Sequence, residues 1–221
     1  MKKSVDSFMI LFGIISALSL FGLSIETGAQ TAIKLPEPKL DGSVSVEKAL
    51  LERRSIRAYK DEPLTLNEIS QILWAAQGIT EPTRGLRTAP SARAGYFLET
   101  YVLPGNVRDL PMGIYKYQPR GHELTRIAEG DKKSDLFKAT GQAPIKNAPA
   151  AILLTGNGEK ATNPNWTFYE AGHASQNIYL QCVSLNLGTV AMAGFKPEEV
   201  KKALHLPEKE QPIFIMPIGK K

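Results

Sequence analysis

The chain has 221 residues, 43% apolar and 22% charged, and a formal net charge of +5. That composition describes one sizeable globular core and excludes a disordered chain. No dense basic run interleaved with aromatics is present, so the usual nucleic-acid footprint is excluded. A single cysteine, Cys182, excludes an internal disulfide and a cysteine-based metal cage. His122, His173 and His205 lack zinc-like spacing, so no metal site is expected.

At the N-terminus, Lys2 and Lys3 precede an apolar run from Phe8 to Leu23 and then Ser24-Ile25-Glu26-Thr27-Gly28-Ala29. This is the order of a secretory signal peptide, with Thr27 and Ala29 at the −3 and −1 cleavage positions. The run is shorter than a membrane span of about 20 residues, and an uncleaved anchor is the other reading. The expected location is therefore extracytoplasmic, or membrane-anchored through residues 8–23. Residues 1–29 form this segment, residues 30–43 read as an extended linker with Pro36, Pro38 and Gly42, and the domain occupies 44–221.

A helix is predicted from near Ser45, with Val46, Ala49 and Leu50 on one face. It leads into Arg53-Arg54-Ser55-Ile56-Arg57. Three guanidiniums within five residues repel one another, and a phosphate is their natural counterion because Arg binds its oxygens through a planar fork. A solvated basic helix end is the alternative. Thr65 and Glu68 form a capping box for a helix carrying Leu66, Ile69, Ile72, Leu73 and Ala76 at helical spacing, which stops at Gly78. Trp74 and Trp166 read as core or rim aromatics. Glu81 to Ala94 is irregular, and Gly95–Leu103 and Gly113–Tyr117 read as strands. Residues 133–140 are helical, and Ala150–Thr155 is a compact apolar strand. The longest helix runs from Phe168 to Leu187 and stops at Gly188; Cys182 within it is a buried, inert thiol. A short helix opens at Pro197 with Glu198 and Glu199 at its positive end. Gln211–Gly219 closes the chain as a strand. No GxGxxG or Walker loop appears, which argues against a Rossmann or P-loop nucleotide site.

Four segments in this order resemble the FMN-dependent nitroreductase family, in particular a short branch similar to the oxidase-like dehydrogenases of peptide-toxin maturation. They are Arg53-Arg54-Ser55-Ile56-Arg57; Arg87-Thr88-Ala89-Pro90-Ser91-Ala92; Glu170-Ala171-Gly172-His173-Ala174-Ser175-Gln176-Asn177; and Leu187-Gly188-Thr189-Val190-Ala191-Met192-Ala193-Gly194-Phe195, continuing through Pro197 to Pro217-Ile218-Gly219. Taken singly, Ala193-Gly194 reads as a turn, Pro90-Ser91 as a loop, His173 as a structural histidine, and Glu170, Gln176 and Asn177 as helix-capping or helix-lining residues.

The resemblance implies an α+β fold, a mostly antiparallel sheet packed by helices around a long central helix, and a homodimer with FMN at the interface. It assigns the phosphate to Arg53, with Arg54 and Ser55 in the same motif, and the pyrimidine side of the ring to Arg57. It assigns Pro90, Ser91 and Ala92 to a loop reaching the partner's flavin. Ala191, Met192, Ala193 and Gly194 become the stretch along the ring, with the N–H of Ala193 or Gly194 at N5. Lys220 stands in for the longer basic tail of relatives. The family pattern has a small residue and later a proline where this chain has Arg93 and Phe97. Arg93 either adds a contact or narrows the site. The implied reaction is ping-pong transfer of two electrons from NAD(P)H through FMN to a nitroaromatic, quinone or similar acceptor, with no catalytic side chain. The alternatives are an FMN-dependent dehydrogenase or oxidase of an organic substrate, and a flavin-binding protein without turnover.

Overall fold

Capping chemistry sets the helix boundaries in the computed structural model, which describes residues 32–221. The expected signal or anchor segment lies outside the described residues. Helix α1 (Val46–Glu52) starts at Ser45, whose hydroxyl accepts from the Lys48 N–H. Helix α2 (Leu66–Gln77) carries the full capping box, Thr65 and Glu68 each satisfying the other's backbone donor, and ends at Gly78. Helices α3 (Lys132–Thr140), α4 (Ala143–Asn147), α5 (Asn165–Ser184) and α6 (Pro197–Leu204) complete the set, and α4 and α6 have Pro in their first turn, where its missing N–H costs nothing.

The strands are β1 (Ala32–Lys34), β2 (Ile79–Glu81), β3 (Leu86–Arg87), β4 (Leu98–Pro104), β5 (Gly113–Gln118), β6 (Glu123–Glu129), β7 (Ala150–Asn157), β8 (Leu187–Thr189) and β9 (Glu210–Lys220). Seven of them form one antiparallel sheet in the order β1-β6-β5-β4-β7-β9-β8, and β2 and β3 form a separate hairpin. The sheet is covered on both faces. Ile152 and Leu154 of β7 point to the core shared with α2 and α5, where Ile69, Ile72, Ile178 and Cys182 meet them. Ala151 and Leu153 face the second core, built with Leu136, Ile145, Val200 and Leu204 from α3, α4 and α6. A strand buried on both sides reads as a continuous apolar run, which is why β7 is legible in the sequence.

Four local expectations are corrected. Residues 32–34 of the expected linker form an edge strand, Ala32–Lys34 pairing with Thr125–Glu123 of β6. The longest helix ends at Ser184, and Asn186 takes a left-handed φ of 55° so that Leu187–Thr189 can turn back as β8. Gly188 is therefore a strand residue and not a helix stop. The irregular stretch from Glu81 contains half of the β2–β3 hairpin. Only Ala49 of the expected α1 face is buried; Val46 and Leu50 are 64% and 53% exposed. Among the described residues no helix is long and apolar enough to cross a membrane, and no acidic, His or Cys group is placed to hold a metal.

Candidate functional site

The arginine motif runs as an extended segment along the edge of the sheet. Ser55 bridges to Thr189 of β8, and the Ile56 N–H donates to the Thr189 carbonyl at 2.9 Å. Two glycines permit this approach. A Cβ on Gly188 would stand 2.7 Å from Ile56 Cγ2, and one on Gly219 would stand 2.7 Å from Tyr59 Cβ. Tyr59 locks the far end by donating its hydroxyl to the Ile56 carbonyl at 2.9 Å. Beyond β8 the chain folds back onto β9, where Met192 and Ile215 exchange both backbone hydrogen bonds.

One side chain joins the two segments. The Tyr179 hydroxyl, projecting from α5, accepts the Ala191 N–H at 2.7 Å and shares a hydrogen bond with Ser55 Oγ at 3.1 Å. The Arg53 guanidinium lies over the same ring, 5.1 Å from its centroid, a cation–π contact. Arg53, Ser55, Tyr179 and Ala191 thus form one constellation. Arg57, Ala193 and Gly194 are exposed beside their segments, and a Cβ on Gly194 would find nothing nearer than Gln142 Nε2 at 3.9 Å. Met192 is buried in the second core, so only its backbone is available here.

Two of the expected cofactor residues are engaged elsewhere. Arg54 turns back on α1, its Nη1 donating to the carbonyls of Leu51 and Arg53 at 2.9 and 2.8 Å. It caps the helix, satisfying carbonyls that the helix end leaves open. Lys220 forms an ion pair with Glu68, the capping-box carboxylate of α2. Burial pushes the Glu68 carboxyl up, but the Lys220 ammonium and the Thr65 hydrogen bonds outweigh it and hold it below its ordinary value.

The second motif meets α5 further toward its N-terminus, where His173 Nδ1 donates to the Pro90 carbonyl at 3.0 Å. Ser91 donates to Glu170 at 2.7 Å and accepts the Tyr96 N–H at 2.9 Å. Glu170 is only 1% exposed and also accepts from Phe97 N–H and Gln77 Nε2, while Gln77 Oε1 accepts from Arg87. The Ser91 hydroxyl is thereby committed to its own chain, and Pro90 and Ala92 carry the accessible part of the loop. Arg93, Ala94 and Tyr96 all have φ near +50°, a left-handed conformation that non-glycine residues hold only when their surroundings enforce it. Arg93 does not reach the Arg53 constellation; it lies over Trp166, which stacks on Phe97. Glu170 and Tyr179 are nine residues apart on α5, about 13 Å along a helix axis. Within one chain, then, the Pro90–Ala92 loop does not complete the site around Arg53.

Tyr179 has no signal in the sequence beyond a hydroxyl in an otherwise apolar helical run, and its partners lie 124 and 12 residues away. Glu170 was visible only as a helix-opening acid. Burial pushes the Cys182 thiol well above its ordinary range, which keeps it out of any chemistry.

The Nitroreductase family model matches residues 50–220 of the chain. A Methanocaldococcus jannaschii protein that carries the nitroreductase name is 38% identical over 201 residues, 88% of this chain and 98% of that one. A crystal structure from Ralstonia eutropha, described as a nitroreductase, shares the fold with a TM-score of 0.77 at 30% identity, covering 89% of this chain and 91% of that chain. A Desulfovibrio desulfuricans nitroreductase crystallised in complex with FMN shares it with a TM-score of 0.60 at 21% identity, covering 78% and 84%, a likeness of fold.

Proposed function

We propose that this chain, which belongs to the nitroreductase family, holds FMN and carries two electrons from NAD(P)H to a nitroaromatic, quinone or similar acceptor in a ping-pong cycle. The observation that carries this reading is the Tyr179 clasp, which brings the Arg53–Ser55 segment and the small-residue stretch after β8 together. The residues present fit such a cofactor. A dianionic phosphate suits a guanidinium and a hydroxyl at an open edge, and small side chains from Ala191 to Gly194 let backbone approach a planar ring. FMN supplies the redox chemistry when bound. Arg53 and Ser55 would hold its phosphate, and Arg57 with the exposed backbone of Ala193 and Gly194 would hold the ring. No side chain is needed as acid, base or nucleophile.

The partner is proposed to be a second copy of the chain. Pro90 and Ser91 are bonded to His173 and Glu170 of α5 and make no hydrogen bond to their own chain's Arg53 constellation. Val46, Leu50 and Leu51 of α1 and Phe168 and Tyr169 of α5 are large apolar side chains left exposed, as expected of an interface. Location outside the cytoplasm, or anchoring through residues 8–23, is likewise a proposal, and fractionation of cells expressing the full chain and a chain lacking residues 1–29 tests it.

The functional test is spectroscopic. Purified protein should be yellow, release FMN on denaturation, bleach anaerobically with NADPH or NADH, and recover its colour on adding a quinone. A protein that neither carries nor takes up FMN would end the proposal. Bound FMN that no nicotinamide bleaches would replace the reductase reading with the organic-substrate or non-catalytic one.

A further inference from the structure

Strands β4 and β5 are neighbours in the sheet, yet they pair only at Tyr101–Lys116 and Val102–Tyr115. The same register continued would set Thr100 against Tyr117 and Glu99 against Gln118. Instead Leu98–Thr100 pair only with β7 on their other side, and Tyr117 and Gln118 only with β6. The sheet is split here, and the split holds a cavity of about 360 Å³.

Its lining is unlike the apolar interior around it. Arg87, Lys116, Arg120 and Lys160 stand against a single lining carboxylate, Glu99. Lys116 and Lys160 are paired with that carboxylate at 3.3 and 2.7 Å. Lys116 also pairs with Glu210 at 3.2 Å, which leaves Arg87 and Arg120 as the lining cations without an ion pair among the described residues. Thr100, 3% exposed, and Arg87 both line the cavity, and Thr100 Oγ1 and Arg87 Nε are buried polar atoms with no hydrogen-bond partner. Buried hydroxyl and guanidinium groups rarely go unsatisfied, and such orphans beside a polar cavity mark a place for an acceptor. Arg87 is held ready for one. Its Nη1 donates to Gln77 at 2.9 Å and its guanidinium stacks 4.4 Å from the centroid of the Tyr96 ring. Burial lowers its pKa, the opposite of what a bound anion would do.

We propose that this cavity binds a small organic anion, recognised through a carboxylate or phosphate group by Arg87, Arg120 and the Thr100 hydroxyl. The volume lies at the small end of the range for ligand pockets, about 300–1,000 Å³, so it suits a compact metabolite better than a bare ion. The cavity lies apart from this chain's own Arg53 constellation. β4 lies three strand spacings from β8, about 14 Å across the sheet, with β7 and β9 between them.

Calorimetric titration of the purified full chain tests the proposal, with inorganic phosphate and succinate as separate titrants at constant ionic strength. At least one should bind with one-to-one stoichiometry, and the titrant that binds identifies the recognised group. Thr100→Val and Arg120→Gln should each weaken binding at least tenfold, and Lys138→Gln on α3, outside both sites, should leave it unchanged. Thr100→Val removes a hydroxyl that has no partner, so it should fold and melt like the parent; should it fail to fold, the exposed Arg120→Gln variant decides alone. Absence of binding by both titrants, binding that survives Thr100→Val and Arg120→Gln, or binding lost in Lys138→Gln would overturn the assignment.

Discussion

Replacing Tyr179 with Phe removes one oxygen and leaves the ring beneath Arg53 in place, so it tests the clasp alone. That oxygen accepts the Ala191 N–H at 2.7 Å and meets Ser55 Oγ at 3.1 Å. A neutral hydrogen bond contributes about 1 kcal/mol net, and a donor left without a partner in the interior costs about 1–3 kcal/mol. Ser55 is exposed and Ala191 half-buried, so water recovers part of both losses. The expected cost is about 1–2 kcal/mol. A domain of this size loses roughly 2–4 °C of Tm per kcal/mol, which puts the drop at roughly 2–8 °C. If FMN is held between the two segments, their lost alignment should also weaken its binding by up to roughly five- to thirtyfold, the same free-energy range. Thermal unfolding followed by circular dichroism, without and with FMN, gives the first quantity, and flavin fluorescence titration the second. A Tyr179→Phe protein that matches the parent in both measurements would refute the argument that this hydroxyl joins the two halves of the site.

Arg53→Ala should weaken FMN binding about ten- to a hundredfold, as expected for loss of a charge-assisted hydrogen bond worth about 1.5–3 kcal/mol, whereas Arg54→Ala, which uncaps α1, should leave affinity nearly intact. Equal affinities by fluorescence titration would count against the assignment. Gly188→Ala and Gly219→Ala should each lower stability in urea by about 1–3 kcal/mol, because their Cβ atoms enter the Ile56 and Tyr59 side chains, while Gly194→Ala should be silent. The Glu68–Lys220 pair makes a signed pH prediction. A carboxyl held below its ordinary value of 4.5 contributes stability above that pH and loses it as the pH falls through its folded value. The stability advantage of the parent over Lys220→Met should therefore be present at neutral pH and shrink on acidification below about 4.5; an advantage unchanged in acid would assign it to packing of the lysine stem. Finally, flavin affinity should fall on dilution through the dimer dissociation range, since ligand and assembly stabilise each other by mass action. Flavin sedimenting with a single-chain mass would refute the shared site.

Features carried by neighbours in the chain are legible in the sequence by itself. The Thr65–Glu68 capping box spans four residues, Pro197 opens α6 through its own ring, and β7 announces itself because both of its faces are buried. The order of four short motifs is enough to point to the family, and so to the fold class. Periodicity also places Val46, Ala49 and Leu50 on one side of α1. It cannot say that two of the three remain uncovered, since a helix face is defined locally but covered by something remote.

What the tertiary structure decided was partnership across long separations. The sequence of β6, Glu-Leu-Thr-Arg-Ile-Ala-Glu, buries only Leu124, so its strand character comes from the pairing offered by β5 and β1 and not from its own apolar pattern. Gly188 resembles a helix stop because glycine commonly is one; the nearness of Ile56, more than 130 positions earlier, makes it a strand residue instead. The resemblance assigns Arg54 and Lys220 to the cofactor, and only the folded chain shows Arg54 bonded to the end of α1 and Lys220 paired with Glu68. Tyr179 and the split between β4 and β5 have no local signature. A hydroxyl on a helix, or a pair of strands whose ladder stops short, acquires meaning only when folding sets distant segments within hydrogen-bonding distance.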